Sequence, residues 1–198
     1  MAKVENLTVQ YGNTVVLENF SAEFPDGTVT AVSGKSGCGK TTLLAVLLGL
    51  LRPAAGVVSG FQRPSAVFQE DRLLPFLSAE KNIVVAAGCT AREAGDALTA
   101  VGFDDADRAK RALELSGGMA RRVAIVRAML APGDAVLLDE PFKGLDSRTR
   151  EQVIRFVLEN RRGRTVVIVT HDPLDGAALH AEREIHMAAA HGGAQNRQ

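Results

Sequence analysis

The stretch G-K-S-G-C-G-K-T, residues 34–41, decides the fold that this sequence predicts. It fits the pattern G-x-x-x-x-G-K-[ST], in which glycines allow backbone N–H groups to wrap around phosphate oxygens. The pattern is informative only between a strand and a helix. T-V-T-A-V-S at 28–33 predicts the strand, and a strongly apolar run at 40–50, ended by Arg52 and Pro53, predicts the helix. The sequence therefore predicts a phosphate-binding strand–loop–helix unit rather than an ordinary glycine turn.

The residue types in this loop suit a nucleotide bound with magnesium. Lys40 is placed to reach the β- and γ-phosphates, and the hydroxyl of Thr41 is placed to bind Mg²⁺. The whole loop is expected to surround the phosphates, which gives the candidate cofactor-binding residues Gly34, Lys35, Ser36, Gly37, Cys38, Gly39, Lys40, Thr41 and Thr42.

Two further apolar strands end in candidate functional side chains. A-V-L-L-D-E at 135–140 ends in Asp139 and Glu140, and V-V-I-V-T-H-D at 166–172 ends beside His171. Because ligands bind at the carboxyl ends of parallel strands, we expect these side chains to lie near the phosphate loop. Asp139 suits the Mg²⁺ shell, and Glu140 suits polarisation of an attacking water. Taken alone, an apolar strand that ends in two carboxylates is structural about as often as it is functional. A lone histidine is more often structural than catalytic.

Short β-rich runs alternate with helical patterns, which predicts an α/β fold with a mainly parallel sheet and helices on both faces. Residues 3–33 predict strands, including an N-terminal antiparallel β part, and residues 70–115 predict three short helices without a clear strand. The other predicted elements are a strand at 65–69, a helix at 119–131, a strand at 135–138, a helix at 147–161 and a strand at 165–170. We expect one domain, residues 1–198, with a core of 1–69 and 117–187, an inserted helical subdomain at 70–116 and a disordered tail at 188–198.

Composition restricts the classes of function. Lysine plus arginine and aspartate plus glutamate number 23 each, so we expect no global attraction to anionic lipid and no nucleic-acid partner. The start M-A-K-V-E-N is polar and unlike a secretory signal, and the longest apolar run, 43–51, is too short to span a bilayer. Cys38 and Cys89 give no disulfide framework and are expected to be reduced thiols. The sequence therefore predicts a cytosolic domain that reaches a membrane only through a partner.

The order of the motifs resembles that of the ATP-binding cassette (ABC) ATPases, the nucleotide-binding subunits of ABC transporters. The phosphate loop, F-Q-E, L-S-G-G, L-L-D-E-P, G-L-D and T-H-D follow one another in the segment that runs from Tyr11 to Met187. The resemblance implies a RecA-like P-loop core and the hydrolysis of ATP with Mg²⁺ as cofactor.

The resemblance also implies roles for single residues. Tyr11 matches the aromatic residue that stacks on adenine, and Gln69 matches the glutamine that links Mg²⁺ and the attacking water to the helical subdomain. Glu140 matches the general base, and His171 matches the residue that holds the γ-phosphate and the water. Asp146, in G-L-D, matches the loop that crosses to the partner subunit. The alternatives are a surface tyrosine for Tyr11, a polar strand end for Gln69 and a helix cap for Asp146.

A second candidate phosphate-binding element lies at L-E-L-S-G-G-M, residues 113–119, before a predicted helix. In the ABC family this loop serves the γ-phosphate bound by the other subunit of a head-to-tail dimer. The resemblance therefore implies that Ser116, Gly117 and Gly118 act on the ATP of a second copy of the chain or a homologous cassette. Met119 stands where the family usually has glutamine, and we expect an altered rate rather than lost activity.

The segment E-D-R-L-L-P-F-L-S-A-E-K-N-I, residues 70–83, resembles importer subunits for nitrate, taurine, alkanesulfonates and thiamine precursors. In that group this part of the helical subdomain receives the short coupling helix of an integral membrane permease. Four apolar residues suit such a groove or, alternatively, the core of the subdomain, namely Leu73, Leu74, Phe76 and Leu77. The resemblance implies a permease and an external solute-binding protein as partners, with this chain at the inner face of the cell membrane.

Some features depart from the family pattern, and others bear on the alternative classes of protein. The segment between Lys40 and Gln69 is shorter than usual in the family, and the family's C-terminal helices are not expected here. A small-molecule kinase is disfavoured by L-S-G-G and by Glu140 after Asp139, and a GTPase by the lack of N-K-x-D. A non-transport ABC ATPase and a regulatory cassette with weakened hydrolysis are the remaining alternatives.

Overall fold

The computed structural model describes residues 1–188, so the predicted tail lies outside the described residues except for Ala188. The strands are β1 (Ala2–Tyr11), β2 (Thr14–Phe24), β3 (Val29–Gly34), β4 (Ala55–Ser59), β5 (Pro64–Val67), β6 (Ala135–Asp139), β7 (Thr165–Val169) and β8 (Arg183–Met187). The helices are α1 (Lys40–Leu47), α2 (Ala79–Ala87), α3 (Ala91–Ala100), α4 (Asp105–Ala109), α5 (Gly117–Leu130), α6 (Ser147–Asn160) and α7 (Pro173–Ala178).

The main sheet has the strand order β5-β6-β7-β3-β8, and every pairing in it is parallel. Strands β6 and β7 are buried along their whole length, which explains why each reads as a continuous apolar run. The order brings the carboxyl ends of β6, β7 and β3 to one edge of the sheet. The predicted α/β fold with a mainly parallel sheet is confirmed.

A second, antiparallel sheet has the order β2-β1-β4 and corresponds to the predicted N-terminal β part. The alternation of Phe20, Ala22 and Phe24 with polar neighbours falls on β2, where Phe24 is fully buried. Strand β4 was not predicted, because its residues A-G-V-V-S are mostly exposed and carry no alternation. Strand β4 pairs with β1 on the side opposite β2, with Lys3 opposite Ser59 and Thr8 opposite Ala55.

The parallel sheet separates two apolar cores. Leu137 shares one core with Leu43 of α1 and with Phe24 of the antiparallel sheet. Its neighbour Leu138 points to the opposite face and shares the other core with Ile125 of α5. Since successive side chains of a strand alternate between faces, a buried strand supplies both cores at once.

Residues 70–116 contain the three short helices that the sequence predicts, α2, α3 and α4, followed by a 3₁₀ turn at Ala112–Glu114. Each helix starts at a side chain that accepts a hydrogen bond from the backbone N–H three residues later: Ser78, Thr90 and Asp104. Helix α2 buries Ala79 and Ile83, which belong to the same core as α5. Leu98 of α3 belongs to this core as well, so the helical segment is packed on the core through α2 and α3.

Two helix boundaries differ from the sequence prediction by more than one residue. Helix α1 ends at Leu47 rather than near residue 50, because Gly49 adopts φ 69° and Leu50 N–H donates to Ala45 O. Helix α5 begins at Gly117 rather than at 119, since Ser116 is its cap. Within the described part of the chain, no helix combines the length and the apolarity that crossing a membrane requires.

Candidate functional site

The phosphate loop connects β3 to α1, and two of its glycines are required by close contacts. Gly34 has φ 155°, and a Cβ there would lie 2.5 Å from the carbonyl oxygen of Met187 in β8. Gly39 has φ 97° at the start of α1, and a Cβ there would lie 2.7 Å from Cδ2 of Leu17. Larger side chains at either position would push the loop away from its neighbours. The loop is thus fixed in a shape that only glycine permits.

The Lys40 side chain lies inside this loop. It is only 8% exposed, and its Nζ donates to the carbonyl oxygens of Gly34 at 2.7 Å and Lys35 at 3.1 Å. An ammonium group has three protons to donate, so one remains for a ligand oxygen. The buried positive charge and the loop geometry together suit a phosphate.

Thr41 and Asp139 form the second part of the site. The Thr41 hydroxyl donates to Asp139 Oδ2 at 2.9 Å. Asp139 is 2% exposed, and burial raises its pKa above the usual value, although the Thr41 hydrogen bond acts in the opposite direction. A buried carboxylate whose charge is incompletely compensated, next to a hydroxyl, is a donor set that fits Mg²⁺.

Glu140 and His171 form the third part. Nδ1 of His171 lies 2.7 Å from Oε2 of Glu140, so the ring leaves Nε2 for a ligand and the carboxylate leaves Oε1. Glu140 adopts a left-handed φ of 49°, and its N–H donates to Val169 O of the neighbouring strand at 2.9 Å. This unusual conformation of a non-glycine residue ends the strand and turns the Glu140 side chain toward His171.

These parts meet in one open cavity of about 480 Å³. The described residues that line it are Val16, Ser36, Gly37, Gly39, Lys40, Thr41, Thr42, Gln69, Asp139, Glu140, Lys143 and His171. Sequence reasoning did not select Val16 and Lys143. Lys143 lies in E-P-F-K-G-L-D, next to the Asp139–Glu140 pair, whereas Val16 carries no motif signal.

Other predicted site residues do not line this cavity among the residues that the structure describes. Tyr11 lies at the end of β1 and is 53% exposed, and Lys35 is also exposed. Gly34 and Cys38 belong to the loop but support it from behind, because Cys38 is buried against the Gly34 backbone. Asp146 caps α6 by accepting hydrogen bonds from Thr149, which lower its pKa.

The L-S-G-G loop also lies outside the cavity. Ser116 is exposed at the start of α5, and its Oγ accepts a hydrogen bond from Met119 N–H at 3.3 Å. Because the oxygen acts as the acceptor, the hydroxyl proton remains available to a ligand. Met119 is half-buried and packs against the core of α5. The loop and the cavity of one chain therefore do not form a single site.

Comparison with known proteins identifies the family. The sequence pattern of the family described as ABC transporter matches residues 17–143, which is more than half of the chain. The chain belongs to the ABC transporter family. It is similar to the aliphatic sulfonates import ATP-binding protein SsuB 3 of Paraburkholderia xenovorans, with 41% identity over 93% of this chain and 75% of that protein. The aliphatic sulfonates import ATP-binding protein SsuB of Corynebacterium glutamicum is 39% identical over 90% of this chain and 76% of its own length.

Solved ABC cassettes have the same fold. A dimeric ATP-binding cassette in a post-hydrolysis state with ADP and Pi gives a TM-score of 0.83 at 27% identity, covering 94% of each chain. A dimeric bacterial ABC transporter cassette gives a TM-score of 0.83 at 28% identity, with the same coverage. The predicted ABC family and fold are confirmed, and this ABC chain is an ATP-binding ATPase domain.

Proposed function

We propose that the chain is the ATP-binding and ATP-hydrolysing subunit of an ABC importer for an aliphatic sulfonate or a related small anion. The observation that carries the ATPase part is the convergence of Lys40, the Thr41–Asp139 pair and the Glu140–His171 pair on one cavity. The importer part is supported by the names of relatives about 40% identical over most of the chain, which are sulfonate import subunits.

The loop and Lys40 bind the triphosphate. Backbone N–H groups of the loop and the Lys40 ammonium group, held at 2.7 Å from Gly34 O, neutralise the β- and γ-phosphate charge. Mg²⁺ would neutralise charge on the two phosphates when bound, and Thr41, Asp139 and Gln69 are the residues that would hold it. Among residues 1–188, no cluster of three His, Cys, Asp or Glu side chains could hold a metal ion.

Glu140 is the general base of the proposed reaction. Its Oε2 accepts the hydrogen bond from His171, so Oε1 is left to take the proton of the attacking water. His171 fixes the direction of the carboxylate and presents Nε2 toward the γ-phosphate. Tyr11, with half of its surface exposed, is available to stack on adenine.

The L-S-G-G loop acts in a head-to-tail dimer. Ser116, Gly117 and Gly118 lie at the N-terminus of α5, where free N–H groups and the Ser116 hydroxyl suit an anion. Their position outside the cavity of their own chain supports contact with the γ-phosphate bound by the partner subunit. Asp146, which caps α6, belongs to the loop that crosses the same interface. ATP thus becomes part of the dimer contact, and hydrolysis weakens it.

The permease docks on the helical segment near residues 70–83. Phe76 is 75% exposed and Leu74 is 48% exposed, whereas Leu73 and Leu77 are half-buried below them. Such large exposed apolar side chains suit the coupling helix of a membrane partner. In this proposal the chain lies on the inner face of the cell membrane through the permease, and a solute-binding protein delivers the anion outside. A non-transport ATPase is not favoured, because the named relatives are import subunits.

The dependence of ATPase activity on protein concentration tests the proposal. If Ser116 acts on the partner's ATP, the hydrolysis rate rises more steeply than linearly with the concentration of the full chain. A constant specific activity down to dilutions at which only monomer is detected would contradict action in the dimer. Copurification of an integral membrane protein with the tagged chain supports the transporter part, whereas copurification of ribosomes or nucleic acid would contradict it.

A further inference from the structure

Helix α5 carries a buried arginine that binds the segment containing Gln69. Arg121 is 8% exposed, and its Nη1 donates to Phe68 O at 2.6 Å while its Nη2 donates to Gln69 O at 2.5 Å. Its Nε lies 3.1 Å from Asp71 Oδ1, which pairs the guanidinium charge with a carboxylate. The two Nη atoms therefore hold the carbonyl oxygens of residues 68 and 69, and the charge of the guanidinium group is paired with Asp71.

A second arginine on the same helix continues this contact. Arg127 Nη1 donates to Arg72 O at 2.9 Å, and Nη2 donates to Asp71 O at 2.8 Å. The two side chains bind the carbonyl oxygens of residues 68, 69, 71 and 72, a segment outside any helix or strand. Carbonyl groups that no sheet or helix satisfies need such donors, and a planar guanidinium holds two of them at fixed positions.

The Arg121 contact reaches the ATP cavity directly. Arg121 binds the main chain of Gln69, and the Gln69 side chain lines the cavity with Lys40 and Glu140. Fixing a carbonyl oxygen limits how far the side chain on the same residue can move. Arg121 is also five residues after Ser116, the cap of the same helix, which is about 7.5 Å along the helix axis.

We infer that Arg121 is a positioning residue that ties Gln69 of one ATP site to Ser116, and so to the ATP of the partner subunit. The inference rests on the proposed function, in which Ser116 contacts the partner's γ-phosphate. A shift of α5 when Ser116 engages that phosphate moves Arg121, and Arg121 moves Gln69 in its own cavity. Arg121 thus makes the two ATP sites of the dimer respond to each other.

The test compares Arg121→Gln with Arg164→Gln in the full-length chain. Arg164 is a suitable control because its guanidinium also donates to carbonyl oxygens, those of Ala131, Met129, Asn160 and Arg161, but it does not line the cavity. The measurements are kcat, KM, the Hill coefficient for ATP and the melting temperature. We expect Arg121→Gln to lower kcat by roughly 10- to 100-fold, as for removal of an outer-shell partner, and to bring the Hill coefficient toward one. Arg164→Gln is expected to lower the melting temperature without these changes.

A double-mutant cycle with Gln69→Ala separates positioning from general destabilisation. If Arg121 acts through Gln69, Arg121→Gln has little further effect on kcat once Gln69 is alanine. Additive losses, or an unchanged Hill coefficient in Arg121→Gln, would overturn the inference. If Arg121→Gln does not fold, Arg121→Lys tests the inference instead. Lysine keeps the positive charge but lacks the planar guanidinium group that donates to both carbonyl oxygens at once. An intermediate loss of kcat and cooperativity in Arg121→Lys supports the inference, and wild-type values overturn it. A wild-type chain without ATPase activity at any concentration would refute the proposed function instead.

Discussion

Replacing Glu140 by glutamine removes a proton acceptor while leaving the shape of the site nearly unchanged. Glutamine has almost the same size, can still contact His171, and has the same backbone requirement at φ 49°. What is lost is the carboxylate oxygen that accepts the proton of the attacking water. General-base catalysis contributes about 10²- to 10⁴-fold. At about 1.4 kcal/mol for each factor of ten, the barrier should rise by roughly 3–5 kcal/mol.

The stability of Glu140→Gln should change little. The Glu140–His171 contact is open to solvent on the histidine side, where the side chain is 63% exposed, so its contribution to stability is below about 1 kcal/mol. Steady-state ATPase assays, ATP binding and size-exclusion chromatography with ATP form the test. We expect turnover to fall, ATP binding to persist and an ATP-bound dimer to accumulate. The matched control is Glu151→Gln, an exposed glutamate of α6. Turnover of Glu140→Gln equal to that of this control would refute the role of Glu140 as base.

Three further predictions concern other residues. Burial raises the pKa of Asp139, so at pH values above that pKa the ionised carboxylate lowers the stability of the folded chain. Asp139→Asn should therefore raise the melting temperature without ligand by about 2–4 °C for each kcal/mol of this destabilisation that it removes. The same substitution should abolish the stabilisation of the chain by MgATP. A lower melting temperature in EDTA would contradict this. Met119→Gln should raise the ATPase rate and, since Met119 packs on the core, lower the melting temperature slightly; an unchanged rate would show that the position is permissive. Phe76→Asp should abolish copurification with the permease at an unchanged melting temperature, because Phe76 is 75% exposed; undiminished copurification would place the docking surface elsewhere.

The sequence was sufficient for the central part of the fold. The phosphate loop and the apolar runs of β6 and β7 are strong local patterns, and their parallel pairing follows from the helices between them. Strands β4 and β8 were missed. The residues R-E-I-H-M of β8 lie at the edge of the sheet with most side chains exposed, so neither an apolar run nor a regular alternation marks them.

The sequence predicts the site residues that lie in motifs, but it does not predict the long-range contacts that hold them in place. Lys40, Thr41, Asp139, Glu140 and His171 come from three short patterns and meet in one cavity. The Arg121 contact with the Gln69 segment joins residues more than fifty positions apart and has no periodic signal. Its existence depends on how the helical segment packs against the core, which only tertiary structure shows.

The close approach of Gly34 to Met187 connects the nucleotide site to an element without any sequence motif. Strand β8 pairs with β3 up to Gly34 itself, so the wall of the phosphate loop is formed by residues late in the chain. A protease cut or a tag inserted between α7 and β8 would remove no catalytic side chain and would still lower the affinity of the chain for ATP. Affinity for nucleotide is therefore a sensitive reporter of an intact edge strand some 150 residues away from the loop along the chain.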